Sequence, residues 1–159
     1  MKAREHHYQV SIEWIGNKGT GTSSYKAYAR DYVISADSKS DIQGSSDPAF
    51  LGDATRWNPE DLLVASASAC HKLWYLHLCA EAGIIVEAYV DHAEGTMVEG
   101  EKGRFTRIVL KPEVTVKPET NIELATDLHH KAHELCYVAN SLNFPVHCEP
   151  TFKIYAGLR

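Results

Sequence analysis

Apolar and polar residues first alternate at period two in HYQVSIEWIG, where Tyr8, Val10, Ile12 and Trp14 share one side, and this predicts a strand. Residues 17–22, with glycines at 16, 19 and 21, read as the turn that follows, and a second strand is expected from Tyr25 to about Ala36. Residues 38–58 are loop-like, rich in Ser, Asp, Gly and Pro, with Phe50 and Leu51 as buried anchors. Asn58-Pro59-Glu60-Asp61 then opens a helix: Asn58 suits the N-cap, Pro59 the first helical position, and the two acids face the positive end of the dipole. It is expected to run to Gly83 as a buried central helix, because Ala, Ser and Leu in its first half allow other backbones to approach.

Two long strands are predicted next, residues 84–99 and 104–117, joined by the turn at 100–103, with Ile108, Leu110, Val114 and Val116 on one face of the second. A second helix begins near Asn121 and continues through about Ser141, with Leu124, Leu128, Ala132, Leu135 and Ala139 as its apolar stripe. A strand over about residues 147–155 closes the chain. The order β-β-α-β-β-α-β with antiparallel hairpins predicts an α+β fold, two helices against antiparallel sheet. No repeat or linker divides the 159 residues, so a single domain over 1–159 is expected.

Composition removes several classes of function. The sequence is 44% hydrophobic and 23% charged, ordinary for a globular protein with a real core. Sixteen Lys and Arg against 21 Asp and Glu give a net charge of −5, which offers no basic footprint for nucleic acid or an anionic membrane. No apolar run approaches the ~20 residues of a membrane span, and the N-terminus lacks a signal-peptide core, so a cytoplasmic protein is expected.

Four cysteines, at 70, 79, 136 and 148, are too few for a secreted disulfide scaffold, and no C-x-x-C pair occurs. In a reducing compartment such residues form disulfides mainly during chemistry or sensing. Cys70 shares a helical face with Leu63, Ala67, Trp74 and His77, and Cys136 borders the stripe of the second helix. Cys79 stands nine residues beyond Cys70 on the same helix, about 13–14 Å away by helical rise, whereas a disulfide needs Cα atoms closer than about 7 Å. Cys136 and Cys148 remain as partners for Cys70. His129, His133 and Cys136 recur at i, i+4 and i+7, a spacing compatible with zinc or copper ligation. Trp57, Trp74, Tyr75 and Phe144 are candidate pocket-lining aromatics.

The segment NPEDLLVASASACHKLWYLHLCAEAGI resembles the central helix of the OsmC/Ohr family, with Asn-Pro-Glu at its start and a peroxidatic cysteine ten residues after the Glu; Glu60 and Cys70 keep that interval. AHELCYVANSLNFPV is similar to the second helix of OsmC-like members, where Cys136 takes the place of the other redox cysteine. YARD resembles the arginine site of Ohr-type members and points to Arg30, with Arg56 as the alternative from the loop ahead of the helix.

The resemblance implies an intertwined homodimer and a cysteine peroxidase that needs no metal or organic cofactor. Arg30, oriented by Glu60, would stabilise the Cys70 thiolate, which reduces an organic hydroperoxide or hydrogen peroxide. Cys136 would then form a disulfide with Cys70, reopened by a dithiol reductant. Two other functions compete: a redox-sensing or small-molecule-binding protein with little turnover, and a metal-binding protein using the His129/His133/Cys136 face.

Overall fold

In the computed structural model, which describes residues 2–157, Asn58 Oδ1 accepts the Asp61 N–H at 2.8 Å and starts helix α1, Pro59–Glu81. Gly83, at φ +75°, turns the chain out of the helix in a left-handed conformation that other residues adopt only at a cost. At Asn121 the side chain accepts the Leu124 N–H at 3.0 Å and caps the shorter helix α2, Ile122–Leu135. Both helix starts therefore lie where the sequence places them.

The chain divides into two compact units, residues 1–62 and 63–159. In the first, β1 (Ser11–Trp14), β2 (Tyr32–Ser35) and β3 (Ile42–Gly44) form an antiparallel sheet in that order. The expected second strand is shorter than predicted, since residues 25–31 loop back on themselves, and β3 occupies part of the segment read as a loop. Ile12 is 60% exposed and Trp14 43%, so β1 buries neither of its apolar residues within the chain.

The second unit departs more clearly from the expected strands. Residues 84–99 form two strands, β4 (Val86–Asp91) and β5 (Glu94–Val98); residues 104–117 form β6 (Arg104–Leu110) and β7 (Pro112–Val116); the closing segment forms β8 (Val146–Cys148) and β9 (Thr151–Ile154). All three breaks fall together, at 92–93, 111 and 149–150. Two three-stranded sheets result, ordered β5-β6-β8 and β4-β7-β9. Prolines at 112 and 150 lack a backbone N–H and so favour the breaks. The hairpin partners are antiparallel, but β8 joins β6 and β9 joins β7 in parallel. The α+β class stands, with mixed rather than purely antiparallel sheets.

Each sheet has its own apolar core beneath α1. Ala67 near the front of the helix packs with Ile108 and Leu110, while Tyr75 and Cys79 further along pack with Val114, Val116 and the α2 residues Ala125 and Ala132. Full burial of side chains such as Ile108 stabilises by about 1.5–3 kcal/mol each. The expected buried central helix is buried along one stripe, Ala67, His71, Tyr75 and Cys79, while Leu73 is 64% exposed. The buried stripe of α2 is likewise Ala125, His129 and Ala132, one position round from the predicted face. Among the described residues, no helix is long and apolar enough to cross a membrane.

Candidate functional site

The helix α1 presents Cys70 half-buried, and the end of α2 delivers the buried Cys136 close enough for the Cys70 thiol to disfavour its ionisation. Cys136 stands at the C-cap of α2 with extended backbone (φ −67°, ψ 111°), not inside the helix as its periodicity predicts. Its position is fixed by local bonds. The Cys136 N–H donates to His133 O, Asn140 N–H donates to Cys136 O at 3.0 Å, and Ala139 N–H points at Cys136 Sγ at 3.4 Å. Burial pushes the Cys136 thiol up to about 11, and the Cys70 thiol adds to the rise; the Ala139 N–H acts the other way. Cys136 is thus held as a neutral thiol at physiological pH. All four cysteines are free, and Cys79 and Cys148 take no part in this arrangement.

Cys70 opens on a pocket of about 330 Å³ lined by Leu73, Trp74, His77 and Tyr137. The lining is almost wholly apolar, and Trp74 sets it by edge contacts to His77 (5.9 Å) and Tyr137 (5.6 Å). Of the four candidate aromatics, Trp74 lines this pocket. Tyr75 is core, with its hydroxyl donating to Ala125 O at 2.9 Å, and Phe144 stacks on Phe105 at 5.6 Å. Trp57 is half-exposed in the first unit, where its backbone continues the β3 edge. Leu73 and Tyr137 were missed because an exposed apolar residue on a helix and one in a loop carry no periodic signal.

Arg30, Arg56 and Glu60 belong to residues 1–62. The Arg30 guanidinium donates to Tyr28 O at 2.6 Å and Tyr25 O at 2.5 Å, and lies over both tyrosine rings, 4.0 Å from the Tyr28 centroid and 4.6 Å from that of Tyr25. Arg56 is fixed more firmly: Nε donates to Gly44 O, Nη2 to Tyr32 O and Nη1 to Gln43 Oε1, at 2.9, 3.0 and 3.2 Å, so it ties β2 to β3. The bidentate Glu60–Arg30 contact is not formed within the chain, since the Arg30 donors go to backbone carbonyls instead. Glu60 Oε2 is buried without a donor, and the Glu60 charge contributes, after burial, to a raised Tyr32 hydroxyl.

The metal face expected at His129, His133 and Cys136 is not assembled. His133 is exposed, whereas His129 is 2% exposed and turned toward α1. His129 Nδ1 meets His71 Nε2 at 3.0 Å, and Cys148 Sγ stands 3.7 Å from each of these nitrogens. Burial lowers His71 to about 4 against the opposing pull of Asp91, and burial with His71 beside it lowers His129 to about 3, so both imidazoles are neutral. Burial raises the Cys148 thiol to about 12, with Asp91 adding to the effect. Helical spacing grouped His129 with His133 and Cys136 of its own helix, and so did not show its contact with His71 and Cys148.

Comparison with known proteins gives relatives that match this architecture over nearly its whole length. An OsmC-like protein of unknown function from Vibrio cholerae is 28% identical, with a TM-score of 0.84 over 92% of this chain and 100% of that one. The uncharacterized protein YmaD of Bacillus subtilis is 25% identical over 158 residues, 94% of this chain and 97% of its own. An organic hydroperoxide resistance protein from Elizabethkingia anophelis shares the fold, with a TM-score of 0.64 at 20% identity over 96% of this chain and 100% of that one. The family model described as OsmC-like protein matches residues 52–151, which span α1, its cysteine pocket and the cap that carries Cys136. This chain belongs to the OsmC-like protein family.

Proposed function

We propose that the protein is a cytoplasmic, thiol-dependent peroxidase that reduces organic hydroperoxides, and hydrogen peroxide as a smaller substrate, acting as one unit over residues 1–159. The reading rests on one observation: a half-buried thiol, Cys70, lines an apolar pocket and has a second, buried thiol, Cys136, beside it. A volume of about 330 Å³ is at the small end of ligand sites, suited to a compact apolar hydroperoxide. The name of the Elizabethkingia relative agrees with this chemistry.

The steps balance without a cofactor. Cys70 thiolate attacks one peroxide oxygen, the O–O bond breaks, the alcohol leaves with a proton, and Cys70 becomes a sulfenic acid. The Cys136 sulfur then displaces hydroxide, which departs as water with the Cys136 proton, and a Cys70–Cys136 disulfide forms. An external dithiol reduces that disulfide by exchange and returns both thiols. Arg30 is the candidate to favour the thiolate, ahead of Arg56, because Arg56 already secures the β2–β3 sheet. Glu60 would orient the arginine.

A homodimer completes the proposal. The exposed apolar side of β1, with Ile12 and Trp14, needs a cover, and the donorless Glu60 Oε2 needs a donor; pairing of two chains would supply both. Mass spectrometry of the reduced protein after one equivalent of cumene hydroperoxide tests the chemistry. The expected products are a Cys70–Cys136 disulfide in the wild type, an oxidised Cys70 in Cys136→Ser, and no oxidation in Cys70→Ser. Four untouched thiols, or a disulfide that omits Cys70, would refute the proposal. A peroxide-dependent disulfide without sustained turnover under any dithiol would favour a sensor.

A further inference from the structure

Among the described residues, one other set of metal-competent side chains converges away from the thiol pair: His71 of α1, His129 of α2 and Cys148 of β8. Three elements distant in sequence meet there, and the peroxidase steps use none of the three residues. We propose that they form a binding site for a thiophilic d10 cation, with Zn2+ as the reference ion. Two neutral imidazoles and one thiolate are the donors such cations prefer.

The separations suit the assignment. A tetrahedral ion with bonds of about 2.1 Å to nitrogen and 2.3 Å to sulfur sets N–S distances of about 3.6 Å and an N–N distance of about 3.4 Å. Both observed N–S distances are 3.7 Å, and the N–N distance is 3.0 Å. The nitrogens need to part by only about 0.4 Å as the ion replaces the N–H···N bond that now joins the coplanar rings. Tyr75 limits how far they move: its ring stacks on His129 at 3.7 Å, and its hydroxyl is anchored on Ala125 O.

Charge and protons also balance. Binding releases the Cys148 S–H proton to solvent as the metal–sulfur bond forms, and the imidazole that donates in the N–H···N bond moves that proton to its other ring nitrogen, so both rings end neutral with the proton facing away from the ion. No oxidation state changes. One thiolate leaves a divalent ion with a residual positive charge, and Asp91 supplies a carboxylate whose field reaches both His71 and Cys148. That carboxylate is held by Ser68 Oγ and the Lys111 N–H. It reaches these two ligands through its charge alone, which offsets the charge the ion would bring.

The test is Zn2+ binding to the full, reduced chain, measured as metal retained per chain after gel filtration and as affinity by competition with a chelator. We expect one zinc per chain in the wild type and in the Cys70→Ser/Cys136→Ser double variant. Cys148→Ser and His129→Gln should each bind at least about a hundredfold more weakly, since losing even an outer partner costs ~10–100-fold. Co2+ in place of zinc should give a thiolate-to-metal charge-transfer band in the wild type that Cys148→Ser lacks. This near-isosteric change decides the matter even if His129→Gln does not fold. A wild type that retains no zinc, zinc that survives Cys148→Ser, or zinc lost on substituting Cys70 and Cys136 would each overturn the assignment. None of these outcomes depends on whether the protein reduces peroxides.

Discussion

Asp91 ends β4 where the two sheets of the second unit part, and its carboxylate joins three elements there. Oδ2 accepts from Ser68 Oγ of α1 at 2.5 Å, and Oδ1 accepts from the Lys111 N–H between β6 and β7 at 2.7 Å. Asp91→Ala removes both acceptors. Each charge-assisted bond contributes about 1.5–3 kcal/mol, and the half-buried setting lets water recover part of the loss. The expected cost is therefore about 3 kcal/mol. Asp91→Asn keeps an oxygen for Lys111 and offers an amide to Ser68, so it should cost about 1 kcal/mol. Ser68→Ala, combined with Asp91→Ala in a double-mutant cycle, should show a coupling of about 1–2 kcal/mol. Urea unfolding followed by circular dichroism gives these values, provided the slope with denaturant is unchanged. A cost below about 1 kcal/mol for Asp91→Ala, or strictly additive single changes, would refute the claim that this carboxylate ties the helix to the corner.

Other expected outcomes follow from the same geometry. Ile108 is fully buried in the core under the front of α1, so Ile108→Ala should lower stability by about 2–5 kcal/mol in the same assay. A Cβ on Gly95 would stand 2.5 Å from Val64 Cγ2 and 3.0 Å from the Phe105 ring, so Gly95→Ala should cost about 1–3 kcal/mol. Burial raises Cys136 from 9.0 to about 11; this acid is neutral in the folded chain and ionises earlier when unfolded. Its contribution is full below pH 9.0 and is lost as pH rises towards 11, about 2–3 kcal/mol in all. Denaturation across that window should therefore be less pH-dependent in Cys136→Ser than in the wild type. Ile12→Lys on β1 should shift the chain from dimer to monomer in sedimentation velocity, and an unchanged dimer would exclude this face from the interface.

How far the sequence revealed this protein depended on whether a signal was local. Helix caps are local, and Asn58, Asn121 and Gly83 act where the sequence places them. Strand breaks are not: nothing in the alternation of residues 84–99 shows that Asp91 and Glu94 serve different sheets, because both halves keep the same period. Resemblance to known relatives singled out Cys70 and Cys136, and the position of Cys136 depends on α2 stopping at Leu135, one residue short of it. His71 and His129 were concealed for a different reason. Histidine counts as polar in any periodic pattern, so a buried pair of neutral rings rotates the apparent face of its helix. On β1 the alternation was clear, but the side it marks finds no cover inside one chain.

The parallel pairing of β8 with β6 and of β9 with β7 has a consequence for how the chain is made. Ribosomal synthesis delivers β4 to β7 first, as hairpins that can close as they emerge. Their outer edges at β6 and β7 stay open until residues 146–154 appear, after the whole of α2. A nascent chain halted before Val146 would carry two unpaired strand edges at once, the type of surface that invites pairing with another chain. Stalled or shortened products of this gene should therefore depend on chaperones far more than the finished protein does.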